Sequence, residues 1–144
     1  MRVKIEFPDK KPVFQVQIPV RISDINYGNH LGNDSVLSII HEARMQAFAS
    51  QGYTELDIDG HGVIMGDVMI AYKGEAFYGD VLSIDIYATE VEAKVFNLLY
   101  HIKAMRDGQQ KDIAHAKTGM VCFDYAMRKV VPCSEKFKTW LCGV

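Results

Sequence analysis

One long stretch of this chain repeats its apolar residues with helical spacing, and nearly everything after it alternates. Between Asp34 or Ser35 and about Gln51, the residues Val36, Leu37, Ile40, Ala43, Ala47 and Phe48 fall on one broad face, which Ile39 widens further. A face that wide asks to be covered on most sides. Asn33 or Asp34 supplies a helix N-cap and Gly52 a C-terminal stop. The rest of the chain offers strands to cover the helix. Phe14, Val16, Ile18, Val20 and Ile22 alternate with Gln15 and Gln17 over Val13–Ile22, and Pro19 marks that strand as an edge strand or bulged. After an Asp- and Gly-rich loop, Tyr53–Gly62, strands are expected over Val63–Tyr78, Val81–Val91, Val95–Arg106 and Lys111–Tyr125. Gly79-Asp80 and Asp107-Gly108 provide turns between them. A short amphipathic tail, Ser134–Leu141, follows Pro132. The pattern predicts a single α+β domain over residues 1–144: a long central helix wrapped by a curved antiparallel meander of four strands that follow it. Such a sheet leaves free edges, which pairing across a two-fold axis satisfies, so a dimer is expected.

At 144 residues the chain is long enough for a real core. Its net charge of −2 gives no basic footprint, so nucleic acid is not an expected partner. Cys122, Cys133 and Cys142 are odd in number and match no metal or C-x-x-C spacing, which argues against a disulfide framework and for a reducing, cytoplasmic location. The N-terminus lacks the apolar run of a signal peptide, and no segment is apolar enough for a membrane span. His41, His61, His101 and His115 share no metal-ligand spacing, and no metal is predicted. Met69, Leu99, Met105 and Met120 read as outward-facing apolar residues that suit a dimer of dimers.

The chemistry concentrates between the first strand and the helix. Asp24, Asn26, Tyr27, Asn29, His30, Asn33 and Asp34 crowd into one short loop. They sit where a helix N-terminus presents unpaired N–H groups and the positive end of its dipole, a place to stabilise an oxyanion.

Read in order, Arg21, Asp24, Asn26, His30 and Asn33 sit at positions where this chain resembles the hotdog-fold thioesterases, in the 4-hydroxybenzoyl-CoA and acyl-carrier-protein thioesterase branch. That branch reads approximately R-x-x-D-x-D-x-x-G-H-V-N-N-x-x-Y, followed by a helix with E-A-R, here Glu42-Ala43-Arg44. Ala71-Tyr72 and Tyr78-Gly79-Asp80-Val81-Leu82 resemble its second-strand tyrosine and its G-D-x-L turn, so the likeness spans Val13 to Tyr125. It implies the hotdog fold and hydrolysis of an acyl-CoA or acyl-carrier-protein thioester at a dimer interface. No cofactor is implied beyond the coenzyme A moiety of the substrate. The backbone N–H near Asn33 would polarise the carbonyl. The second aspartate of D-x-D, the family's catalytic carboxylate, is Asn26 here, Gly32 replaces the first asparagine of N-N, and Asn29 stands where glycine is usual.

An asparagine cannot act as general base, so the catalytic role passes to His30, whose ring titrates near neutral pH when unperturbed. Asn26 can orient a water or the carbonyl, or only cap the turn. Asp24 can serve as a displaced base or orient His30, although strand alternation puts it beside Ile22 on the inward face, where a structural role is expected. Asp34 reads first as a cap. Glu42 reads as close to the buried face and held in a salt bridge, or as a catalytic carboxylate from the helix; Asp67 is a further carboxylate candidate. Tyr27 and Gly32 join Asn33 as substrate-binding candidates, with Tyr27 lining the acyl site or a dimer interface. Arg44, Lys73 and Lys103 are candidates for the CoA phosphates. A second reading is a binding protein that holds acyl-CoA without cleaving it. Dehydratase chemistry on hydroxyacyl thioesters is a third, for which the chain lacks the motif.

Overall fold

The computed structural model describes residues 2–143. In chain order the elements are β1 (Phe14–Pro19), a 3-10 turn (Ile22–Asp24), α1 (Asn33–Ala49), β2 (Gly62–Tyr72), β3 (Val81–Thr89), β4 (Val95–Arg106), β5 (Gln109–Asp124), β6 (Lys129–Val130) and α2 (Glu135–Leu141). The sheet runs β1-β3-β4-β5-β2 with all neighbours antiparallel, and β6 pairs with the end of β5. The expected four-strand meander is therefore corrected: only β3, β4 and β5 form one, while β2 lies against β5 at the far edge. This order makes β1 and β2 parallel to each other at opposite edges. Parallel strands cannot be joined by a hairpin, so the connection has to cross the sheet, and α1 is that crossover. Among the described residues no helix is long and apolar enough to cross a membrane.

The helix buries Val36, Ile39, Ile40, Ala43, Arg44, Ala47 and Phe48, a stripe spaced three and four apart. These residues join Leu82, Ile84, Ile86, Leu98, Ile102 and Ala116 of the sheet in one core. Leu37, Ser38, His41, Glu42 and Gln46 face away from it, so within a single chain the helix is covered on one side and not on most. Gly52, at φ 78°, closes the helix, and the Tyr53 N–H returns to the Phe48 carbonyl at 2.9 Å. Behind it α2 starts on the Ser134 hydroxyl, which accepts from the Phe137 N–H. Phe137 then packs edge-on to Phe48, Phe96 and Tyr53.

Arg44 lies inside this apolar stripe. Its Nε donates to Glu55 at 3.0 Å and its Nη1 to the Tyr100 hydroxyl at 3.3 Å, and that hydroxyl meets Thr118 Oγ1 at 2.8 Å. Burial pushes the Tyr100 hydroxyl above its ordinary pKa and outweighs the pull of Arg44, so it stays protonated as a donor. The chain of partners pins helix to sheet, and it removes Arg44 from the candidates for phosphate binding. Lys103 is likewise engaged, donating to Asp85 at 2.6 Å.

β2 ends at Tyr72, short of the expected Tyr78, because the Lys73 and Gly74 N–H groups both turn to the Ile113 carbonyl. A Cβ on Gly74 would stand 2.7 Å from the Asp112 carbonyl oxygen, so only glycine fits there. Met120 points inward, opposite Phe96, and is buried rather than outward-facing. Leu99 is on the outer face but is buried as well, sharing a groove with Lys4, Ile5 and Glu6 of the N-terminal leader. The expected absence of a disulfide is also corrected: Cys122 and Cys133 are bonded. The Val131 N–H bonds the Cys122 carbonyl, and this return of the chain along β5, which sequence spacing does not reveal, brings the two thiols together.

Tyr100→Phe removes the hydroxyl shared by buried Arg44 and Thr118, and is expected to lower unfolding free energy by about 1–3 kcal/mol in urea titration. Gly74→Ala must displace the Asp112 backbone, and the same measurement is expected to show a loss of about 1–3 kcal/mol.

Candidate active site

After Pro19 the chain leaves β1, and at Ile22 it enters the 3-10 turn, so strand alternation no longer governs Asp24. Ile22 is 72% exposed, whereas Asp24 is buried at 4%. Asp24 is buried because its carboxylate caps the turn, accepting from the Arg21 N–H at 2.9 Å and from the Arg21 guanidinium at 3.4 Å. Its carbonyl accepts the Gly32 N–H at 3.0 Å, which fixes the start of α1 relative to the turn.

Residues Ile25 to Leu31 form a tight loop closed by an antiparallel bridge between its ends. Asn26 Oδ1 accepts the Gly28 N–H at 2.8 Å, an Asx turn, and the Asn26 N–H donates to the His30 carbonyl at 2.9 Å. Asn29 takes the left-handed conformation, φ 65°, that asparagine tolerates. Because Oδ1 receives the loop's N–H, the amide nitrogen of Asn26 is left as a donor with no partner among the described residues. His30 Nδ1 lies 3.1 Å from the Leu31 carbonyl, which can only accept, so Nδ1 is the donor there and in the neutral ring Nε2 has the lone pair. His30 Nε2 and Asn26 Oδ1 each lie 3.3 Å from the point a Cβ on Gly28 would occupy. The missing Cβ spares the imidazole and the amide a tight contact with residue 28.

Helix α1 begins at Asn33 with buried Gly32 as its N-cap, not at a capping Asn33 or Asp34 as the sequence suggests. Gly32 offers no side chain, and among the described residues the N–H groups of Asn33 and Asp34 donate to no partner. The Asp34 carboxylate folds back over Gly32, where a Cβ would meet Oδ1 at 2.7 Å. The first-turn amides therefore remain open, with the helix dipole behind them.

His30, Leu31, Asn33, Val36, Tyr72 and Lys73, with Gly74, Glu75 and Ile113, line one cleft of about 270 Å³. The Tyr72 hydroxyl donates to the Asn33 carbonyl at 3.2 Å and joins the end of β2 to the helix start. Lys73, already a phosphate candidate, stands at its rim. Glu75, a carboxylate in the same cleft, escaped the sequence reading; its place just past the Tyr72-Lys73-Gly74 turn was the available signal.

The other candidates fall elsewhere. Asp24 and Glu42 line a separate groove of about 260 Å³ with Arg21, Ser38, Ile39 and Gln46, so the structure does not bring Asp24 to His30. Glu42 is exposed and accepts from Gln46 at 2.8 Å; no salt bridge holds it among the described residues. The buried stripe is centred on Ile40, Ala43 and Arg44, which turns Glu42 away from the sheet. Tyr27 is fully exposed at the loop tip. Asp67 is on the outer side of β2, paired with Lys117 at 2.9 Å, and that bond holds its carboxyl below the usual range despite some desolvation.

The sequence profile of the thioesterase-like superfamily matches residues 20–141. A comparison with curated proteins returned no match. Among solved structures, a 1,4-dihydroxy-2-naphthoyl-CoA thioesterase from Synechocystis is 22% identical, with a TM-score of 0.80 over 91% of this chain and 96% of that one. A 4-hydroxybenzoyl CoA thioesterase mutant complexed with 4-hydroxybenzoyl CoA superposes with a TM-score of 0.80 at 15% identity, covering 89% and 97%. A gentisyl-coenzyme A thioesterase gives 0.75 at 17% identity, covering 89% and 99%. The match to the profile covers most of the chain and the architecture is shared, so this protein belongs to the thioesterase-like superfamily and has the hotdog fold.

Proposed function

We propose that this chain hydrolyses an acyl-CoA or acyl-carrier-protein thioester at the cleft between the start of α1 and the end of β2. The observation that carries the reading is the pair of open first-turn N–H groups at Asn33 and Asp34, at the end of a cleft that His30 and Asn33 line together. The thioester carbonyl oxygen would accept from those amides. A water held by His30 Nε2 would add to the carbonyl carbon, with its proton passing to the imidazole. The oxyanion so formed gains charge where the amides and helix dipole already point. On collapse the carbon–sulfur bond breaks and the proton goes to the leaving thiolate, giving a carboxylic acid and a free thiol. The Asn26 amide nitrogen, a donor, suits the carbonyl or the water as a hydrogen-bond partner and not as a base. Lys73 at the rim suits a phosphate of the carrier.

The exposed Tyr27 and the free edge of β2, with Met65, Val68 and Met69 each more than a third exposed, favour a homodimer in which two such clefts face a common interface. The compartment we favour is the cytoplasm, although the Cys122–Cys133 bond withdraws the cysteine argument for it.

The non-catalytic alternative rests on Asn26, which cannot titrate where the family pattern places an aspartate. Thiol release from short, long and aromatic acyl-CoAs separates the two. Hydrolysis predicts turnover of at least one substrate by the wild type and a fall of about 10²–10⁴ in kcat for His30→Ala. Binding without turnover, with hydrolysis appearing in Asn26→Asp, would establish the alternative. Sedimentation equilibrium is expected to give a multiple of the 16.3 kDa chain mass, and a monomer at micromolar concentration would remove the shared-interface part of the reading.

A further inference from the structure

The outer face of the sheet, away from α1, gathers groups that the cleft does not use. His101 of β4 and His115 of β5 are directly opposed cross-strand partners, and their rings lie 5.0 Å apart at 89°. Asp112 should not join them: three residues before His115, regular alternation would turn it to the core side of β5. The register between β4 and β5 shifts there, however, with Ile102 opposite Ala114 and Lys103 opposite Asp112, so that Ile113 is an extra residue without a partner. This bulge turns Ile113 and Ala114 both inward and returns Asp112 to the outer face. Asp112 Oδ1 then stands 2.9 Å from His101 Nε2 and Oδ2 2.9 Å from His115 Nε2, with the ligand atoms of all three residues within 4.8 Å of one another.

We propose that His101, Asp112 and His115 form a binding site for a divalent transition metal of the zinc type. Two imidazole nitrogens and one carboxylate form a donor set that suits zinc, cobalt or nickel rather than magnesium or calcium. Zinc bonds of about 2.0–2.1 Å in tetrahedral geometry need ligand atoms about 3.3 Å apart, so the two 2.9 Å contacts open slightly and the separation of the two imidazole nitrogens, at most 4.8 Å, closes towards the same value. The ion would take the lone pair of each imidazole Nε2, which puts the ring protons on Nδ1, and one oxygen of the carboxylate, leaving a fourth position for water. Phe7 of the leader stacks on His101 at 4.7 Å and meets His115 edge-on at 5.0 Å, which holds both rings in place. The neighbouring ammonium groups do not oppose a cation, since Lys103 is paired with Asp85 and Lys117 with Asp67. Asp112, 43% exposed at its side chain, leaves a way in.

Calorimetric titration of the untagged, chelator-treated full chain with zinc tests this, together with X-ray absorption of the zinc-loaded wild type. One zinc per chain is expected, bound through two imidazole nitrogens. Asp112→Asn should weaken binding about ten-fold or more and His115→Gln should abolish it, while His61→Gln, remote from the cluster, leaves it unchanged. Absence of stoichiometric binding, equal affinity in Asp112→Asn and wild type, or an absorption spectrum without two imidazoles would overturn the site. The wild-type spectrum decides the matter even if His115→Gln fails to fold.

Discussion

The placement of β1 and β2 at opposite edges of one sheet, pointing the same way, is the constraint from which the rest of this molecule follows. The chain between them has to cross the sheet face, and a helix is the compact way to do so with its backbone groups satisfied. Burial then selects the stripe Val36, Ile39, Ile40, Ala43, Ala47 and Phe48. The single cation in that stripe, Arg44, is tolerated because Glu55 and Tyr100 satisfy it. A buried charge that lost those partners would be strongly destabilising, so the network also fixes the rotation of α1 about its axis. That rotation determines which residues of the first turn face the end of β2.

The start of the helix shows the opposite priority. A serine or aspartate at the N-cap accepts a first-turn N–H and stabilises a helix by about a few tenths of a kcal/mol relative to glycine. Here Gly32 holds that position and leaves the Asn33 and Asp34 amides open. The loop before it is, in contrast, held by several bonds: Asp24 to Arg21, Asn26 to Gly28 and His30, His30 to Leu31. Rigid bonding around a few unsatisfied donors is the arrangement expected of a preorganised anion-stabilising site.

Much of this was legible in the sequence because local periodicity carries it. The alternation of Leu82, Ile84, Ile86 and Ala88, the helical spacing from Val36 to Phe48, and the turn at Asp107-Gly108 each depend on neighbours within a few residues, and each element appears where expected. The features that escaped depend on long-range register. Nothing local says that β2 pairs with β5 instead of β3. The extra residue at Ile113 is invisible as a bulge until its partner strand is known, yet it alone turns Asp112 outward beside two histidines and supplies the carbonyl that ends β2. A helical face defined by apolar residues alone puts Glu42 near its edge; including the buried Arg44 rotates its centre and sends Glu42 to solvent. Glu75 joins the cleft only through the close approach of Gly74 to Asp112.

The central claim is that the open first turn of α1 polarises a thioester carbonyl. Isotope-edited infrared difference spectroscopy, using an acyl-CoA carrying a ¹³C-labelled thioester carbonyl bound to the slow His30→Ala variant, measures this directly. The account predicts a carbonyl stretch shifted to lower frequency on binding, as two backbone N–H groups and a helix dipole draw electron density onto the oxygen. A bound carbonyl at its solution frequency would place the thioester elsewhere and contradict the account.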